Sequence, residues 1–117
     1  MRNSIVLLIA LSALGLGACA HLNPHPMDMT QAIKNATTKT DHEALAKHYE
    51  NAAKDLEVKL NEYKRVLEEY ELHGAYYGKQ ALDLQSHARS SVTAYEQAIK
   101  ANLDMAKSHR VMVDAIK

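Results

Sequence analysis

The residue types in this chain that can do chemistry are histidine and methionine, because its 117 residues include seven His and five Met but a single Cys. Imidazole nitrogen binds copper, zinc, nickel and iron, and the thioether of Met favours Cu(I). His42 and His109 are the first candidates, since the helix register derived below places them opposite each other. Met105 and Met112 lie four residues before and three residues after His109, so they share its helical face. Together with His48 they define a candidate copper or zinc site or, in a dimer, a bis-histidine haem site.

The same residues also fit a purely structural role. Met in a helix seam usually fills gaps in the core, and a His pair at the end of a bundle can form a hydrogen-bonded polar layer. The spacing does not match a known metal motif such as His-Glu-x-x-His. Residues 21–29, HLNPHPMDM, hold two His and two Met and form a second soft-metal candidate. Metal binding is therefore the alternative, and a structural role is the first prediction.

The sequence lacks the spacing of a catalytic site. Ser86-His87 and Ser108-His109 are neighbours, and neighbours on a helix point about 100° apart, so neither pair can act as nucleophile and base. There is no Gly-rich phosphate loop and no nucleophile elbow. The chain has 14 basic and 14 acidic residues, a balance that argues against a nucleic-acid partner. We therefore predict a protein that is not an enzyme and does not bind nucleic acid.

Two long helices are expected to position the candidate residues. From residue 41 onward the Gly residues are Gly74 and Gly78, and no Pro follows residue 26, so segments 41–72 and 79–116 run uninterrupted. Both segments are rich in Ala, Leu, Glu, Lys and Gln, which are strong helix formers. The turn between them is expected at residues 73–78.

Local signals support these helices. Thr40 followed by Glu43 predicts a capping box at the start of the first helix. Acidic residues stand four positions before basic ones, an order that stabilises a helix. These pairs include Glu50–Lys54 and Glu96–Lys100. Residues 21–29 are expected to be non-helical because they contain both prolines, and residues 32–35 offer a weak helical turn.

Apolar residues recur every seven positions in both segments, which predicts a left-handed coiled-coil seam. Folding the chain at the turn into an antiparallel hairpin brings Tyr63 opposite Ala88, a large residue against a small one. Tyr49 and Asn102 then form a buried polar pair. The rows are His42, Tyr49, Leu56, Tyr63 and Tyr70 in the first helix and Ala81, Ala88, Tyr95, Asn102 and His109 in the second. The predicted fold class is all-α, a long antiparallel helical hairpin, although heptads alone leave a shift of seven residues open.

Several large side chains fall outside the seam and indicate further contacts. Because two helices bury little surface, we expect the hairpin to complete a bundle by self-association or with a helical partner. Tyr76 and Tyr77 at the turn either bind a partner or cap the bundle by covering Leu72 and Leu82, and the cap is the favoured interpretation. The apolar residues off the seam are Leu82, Leu103 and Val111.

The first 19 residues, MRNSIVLLIALSALGLGAC, form a different kind of segment. Arg2 precedes 14 uncharged residues, fewer than the roughly 20 apolar residues that span a membrane. The motif Leu16-Gly17-Ala18-Cys19 resembles the lipobox of bacterial lipoproteins. This resemblance implies cleavage before Cys19, acylation (as with palmitate) of that residue, and membrane anchoring by several acyl chains. Ala20 in the following position implies the outer membrane, facing the periplasm.

The expected organisation has three parts. Residues 1–18 form the signal peptide, residues 19–40 a lipid-anchored flexible tether, and residues 41–117 the helical hairpin. The predicted function is a non-enzymatic structural or protein-interaction role in the cell envelope. The alternative is a periplasmic metal-binding or haem-binding lipoprotein.

Overall fold

The computed structural model of the protein describes residues 28–117, and these form an all-helical hairpin. Helix α1 spans Met29–Asn35, α2 spans Lys39–Leu72, α3 spans Gly74–Tyr77, and α4 spans Ala81–Ala115. A single 3₁₀ turn, Gly78–Gln80, joins α3 to α4. The signal peptide, Cys19 and the first part of the tether lie outside the described residues.

The two long helices pack against each other in antiparallel directions, which confirms the predicted fold class. Their 34 and 35 residues correspond to about 50 Å each at 1.5 Å per residue. The helix bounds differ from the expected 41–72 and 79–116. α2 begins two residues earlier, because Thr38 caps it, and α4 begins two residues later, because the 3₁₀ turn occupies Gly78–Gln80.

The capping box expected at Thr40 and Glu43 is wrong, since the structure places it at Thr38 and Asp41. The Thr38 hydroxyl accepts a hydrogen bond from the Asp41 backbone N–H at 3.2 Å. The Asp41 carboxylate accepts in return from the backbone N–H groups of Thr38 at 2.9 Å and Thr37 at 3.0 Å. Two of the backbone donors that a helix start leaves unpaired, those of Thr38 and Asp41, are satisfied this way, and so is the N–H of Thr37 just before the cap.

Helix α1 begins earlier than the weak turn expected at residues 32–35. Asp28 is its N-cap and accepts a hydrogen bond from the backbone N–H of Gln31 at 3.3 Å. Met29, expected in the non-helical part of the tether, is therefore the first helical residue. Asp is among the strongest N-cap residues, which explains the early start.

The chain reverses through α3 and the 3₁₀ turn. Gly78 has φ of 56°, a conformation that L side chains rarely adopt, so the turn requires a glycine here. The side-chain amide of Gln85 donates a 3.0 Å hydrogen bond to the carbonyl oxygen of Tyr70 across the turn. This bond ties the start of α4 to the end of α2.

The core is a narrow seam between α2 and α4, as the heptad rows predict. Leu56 is almost fully buried, a burial worth about 2 kcal/mol for a side chain of its size. The rings of Tyr63 and Tyr95 stack with centroids 5.3 Å apart. The buried residues concentrate toward the open end of the hairpin: Leu45, Ala46, Tyr49, Ala52, Ala53 and Leu56 in α2, and Ala88, Tyr95, Asn102, Ala106 and His109 in α4.

Ion pairs between the two helices line one side of the seam. Arg110 donates from Nε and Nη2 to Oε1 of Glu50, at 2.8 and 2.7 Å. Glu50 and Glu96 were expected to pair with Lys54 and Lys100 of their own helices. In the structure both pair across the seam instead, Glu50 with Arg110 and Glu96 with Lys64. Exposed pairs of this kind contribute about 0–1 kcal/mol each. The three cross-helix pairs, which we call the ion-pair ladder, are Glu50–Arg110, Lys64–Glu96 and Glu71–Arg89.

Within residues 28–117, none of the helices combines the length and the apolar character needed to cross a bilayer.

Candidate functional site: paired histidines at the open end

His42 and His109 meet at the open end of the hairpin, as the predicted register requires. His42 lies in the first turn of α2, and His109 lies in the last third of α4. Their Nδ1 atoms are 3.0 Å apart, a hydrogen-bond distance. His109 is buried, with 8% of its surface exposed, while His42 is half-buried. One ring is therefore fixed in the seam and the other is accessible from solvent.

The two Nδ1 atoms point almost directly at each other. The ring centroids are 5.2 Å apart, which is the 3.0 Å between the nitrogens plus about one ring radius for each imidazole. The ring planes differ by 26°. A hydrogen bond in this arrangement needs one Nδ1 that carries a proton and one that offers its lone pair. At most one proton therefore lies between the two nitrogens.

Burial and charge keep a proton off His109. Removal from water lowers the pKa of the His109 imidazole below its ordinary value, and the nearby His42 lowers it further. Asp41, adjacent to His42, has a carboxyl pKa that is lowered by the hydrogen bonds from Thr37 and Thr38. The open end therefore pairs a His that resists protonation with an anionic carboxylate next to its partner.

Tyr49 forms the inner wall of this site. Its ring stacks on His109 with centroids 5.7 Å apart and planes 11° from parallel. Tyr49 is itself buried, and this burial raises the pKa of its hydroxyl. Tyr49 is not among the residues predicted for the site, although its position one heptad after His42 places it in the same row.

The remaining metal candidates do not join the pair. His48 packs edge-on against Tyr49 with centroids 6.1 Å apart. Met105 and Met112 are exposed on the surface of α4. Within residues 28–117, no cluster of three or more His, Cys, Asp or Glu side chains is arranged to hold a metal. The described part of the chain therefore offers two imidazole ligands at this point rather than a closed coordination shell.

Asn102 is buried, but its hydrogen bonding differs from the expected polar pair with Tyr49. Its side-chain N–H donates to the carbonyl oxygen of Ala98 at 2.9 Å, one turn earlier in the same helix. Among the described residues, its Oδ1 is the one buried side-chain N or O atom without a hydrogen-bond partner. The seam therefore buries an unpaired polar acceptor one heptad before His109.

The tyrosines at the turn do not form the expected cap. Tyr76 is 84% exposed and stacks on His73, with centroids 5.7 Å apart. The Tyr77 hydroxyl donates to Glu69 at 3.3 Å, and its ring packs edge-on against Tyr70. Leu72 and Leu82 stay exposed. The prediction that Tyr76 and Tyr77 cover them is therefore wrong, because α3 directs both rings back along α2.

The arrangement at the open end can share a proton between two imidazoles or bind a cation between them. The lipidation site Cys19 and residues 21–27 of the tether lie outside the described residues. Comparison of the chain with protein-family models, with curated proteins and with solved structures finds no match.

Proposed function

We propose that this protein is a lipid-anchored component of the bacterial envelope that acts, without catalysis, by helix–helix association of its hairpin. The observation that carries this proposal is a set of large apolar side chains that stay exposed outside the seam. These are Val58 and Leu72 in α2, and Leu82, Leu103 and Val111 in α4.

A group of exposed apolar side chains marks a surface on which another helix can pack. Leu82 and Leu103 share their heptad row with Arg89 and Glu96, so charged residues flank the apolar ones. Burial of one such side chain is worth about 1.5–3 kcal/mol, and a symmetric dimer buries the set of both copies.

Sedimentation velocity of a chain lacking residues 1–19 tests this role. We expect a dimer or larger assembly at micromolar concentration, and a double variant Val58→Lys/Leu103→Lys should shift it to monomer. Gln97→Lys, a charge added at an exposed polar position of α4, is the matched control and should leave the assembly intact. A compact monomer of the unmodified chain, both alone and mixed with crosslinked envelope extract, would contradict the proposal.

The envelope location rests on the lipobox resemblance of residues 16–19. Metabolic labelling with a palmitate analogue should label the full chain and leave Cys19→Ser unlabelled. Fractionation should then place the labelled protein in the outer membrane, as Ala20 implies. Recovery of an unlabelled protein in the soluble periplasm would contradict the anchoring proposal without affecting the helical association.

A further inference from the structure

We propose that the His42–His109 pair is a two-coordinate binding site for a soft monovalent cation, Cu(I), which takes the place of the bridging proton. This inference goes beyond the proposed association of hairpins and does not depend on it. It rests on the head-on direction of the two Nδ1 atoms, on the number of ligands present, and on the place of the pair in the fold.

The head-on direction favours a linear site. Metals with tetrahedral or octahedral shells need ligands whose lone pairs converge from several sides, as zinc does with four. In this pair the two lone-pair directions are nearly collinear, because the centroid separation of 5.2 Å exceeds the nitrogen separation of 3.0 Å by about two ring radii. A filled-shell monovalent ion such as Cu(I) accepts two nitrogens in line. Two ligands then suffice, which is the number the described residues supply.

The distance that must change is small. Metal–imidazole bonds are about 2.0 Å long, so a linear N–Cu–N unit needs about 4 Å between the nitrogens. The pair in the structure is about 1 Å shorter than this, at 3.0 Å. His42 lies in the first turn of α2, where a helix end can shift outward without opening the buried seam around Leu56. The half-buried ring of His42 also gives the ion a path from solvent.

The residues around the two imidazoles hold them in an orientation suited to binding the ion. His109 is buried in the seam, with 8% of its surface exposed, so its ring has little freedom to turn away from His42. Tyr49 stacks on the His109 ring and holds its orientation. The Asp41 carboxylate, next to His42 in sequence, offsets part of the positive charge of the bound ion.

Binding of Cu(I) to the pair involves a proton shift within one ring and no electron transfer. In the neutral pair, the ring that carries the Nδ1 proton releases it and takes up a proton at Nε2, so the ring changes tautomer. Two Cu–N bonds form from the two Nδ1 lone pairs, and one N–H···N hydrogen bond is lost. Copper enters and stays as Cu(I), so no oxidant or reductant is consumed.

The test is competition for Cu(I) against a chromogenic Cu(I) chelator, without oxygen, on the full chain in detergent. Every sample carries Cys19→Ser, because a free thiolate would bind Cu(I) itself. We expect one Cu(I) per chain at the pair, and His42→Ala should weaken it by at least about 100-fold, since even loss of a supporting group costs about 10- to 100-fold. His87→Ala removes an exposed His of α4 and should leave the affinity unchanged. Equal affinity in the His42→Ala and His87→Ala chains would overturn the proposal.

A second measurement keeps the test independent of folding. NMR of the His ring protons should show Ag(I), a redox-inert substitute for Cu(I), shifting the signals of His42 and His109 together at one equivalent. Zn(II) at the same ratio should leave these two signals in place, because two ligands do not fill its tetrahedral shell. Shifts confined to the tether histidines, or a Zn(II) shift equal to that of Ag(I), would contradict a linear soft-cation site. Circular dichroism of His42→Ala confirms that the hairpin is intact in the variant compared.

Discussion

Replacing Asn102 by Leu is expected to stabilise the hairpin, although most substitutions of buried residues destabilise a protein. The Oδ1 atom of Asn102 is buried without a hydrogen-bond partner among the described residues. Its side-chain N–H bonds the carbonyl of Ala98, which lies four residues earlier in the same helix and so already accepts the helical backbone bond. The substitution therefore removes an unpaired acceptor and leaves no new one.

The magnitude follows from the cost of an unpaired buried polar atom, which is about 1–3 kcal/mol. Leu also forms helix better than Asn by a few tenths of a kcal/mol. Asn102→Leu should therefore raise the free energy of unfolding by about 1–3 kcal/mol more than the gain in helix propensity alone. For a domain of this size each kcal/mol raises Tm by about 4–8 °C.

Urea unfolding of the two chains, followed by circular dichroism, measures the difference. Asn51→Leu is the matched control, because Asn51 is exposed in α2 and reports the propensity gain alone. Asn102→Ala, compared with Asn51→Ala, covers the case in which the larger Leu overpacks against Tyr49. If both Asn102 variants are less stable than their controls, the Oδ1 atom has a partner in solution and the reasoning fails.

Three further predictions concern the caps, the core and the open end. Thr38→Ala should lower the free energy of unfolding by about 1 kcal/mol while Thr40→Ala changes it little, and the opposite order in urea titrations would restore the capping box expected from the sequence. Leu56→Ala should cost about 2–5 kcal/mol, whereas Leu82→Ala at a position 78% exposed should cost far less, and equal losses would contradict the seam. The pKa of His109 is lower in the folded chain than its ordinary value of 6.5, so the stability this residue contributes is complete above pH 6.5 and is lost as the pH falls through the folded pKa. Tm should therefore be lower at pH 5 than at pH 7.5, and superimposed melts would count against the apposition of His42 and His109.

The heptad spacing, combined with a turn placed at residues 73–78, was sufficient to predict the hairpin and the pairing of His42 with His109. It could not choose between the two overlapping cap frames, since Thr38 with Asp41 and Thr40 with Glu43 both place Thr three residues before an acid. The structure favours the first frame because Asp41 accepts from two backbone N–H groups at once.

The packing of side chains at the turn and around the histidine pair could not be predicted from the periodicity of the sequence. Leu72 and Leu82 stay exposed because the rings of Tyr76 and Tyr77 pack on His73 and Tyr70 instead of covering them. The stacking of Tyr49 on His109 follows from the offset by which side chains of antiparallel helices interleave. The exposure of these Leu side chains and the stacking of Tyr49 depend on the three-dimensional path of the chain, which the residue types alone do not indicate.

The ion-pair ladder has a consequence for how the chain avoids misalignment. Its signs alternate along α2, so the order of charges distinguishes the native alignment from one displaced by a heptad, which the apolar rows alone permit. Displacement in one direction would set Glu57 against Glu96 and Lys64 against Arg89. Displacement in the other direction would set Glu71 against Glu96 but also Glu57 against Arg110, one repulsive and one attractive pair. Each exposed pair contributes little to stability, so the ladder disfavours the first displacement, with its two repulsive pairs, more than the second.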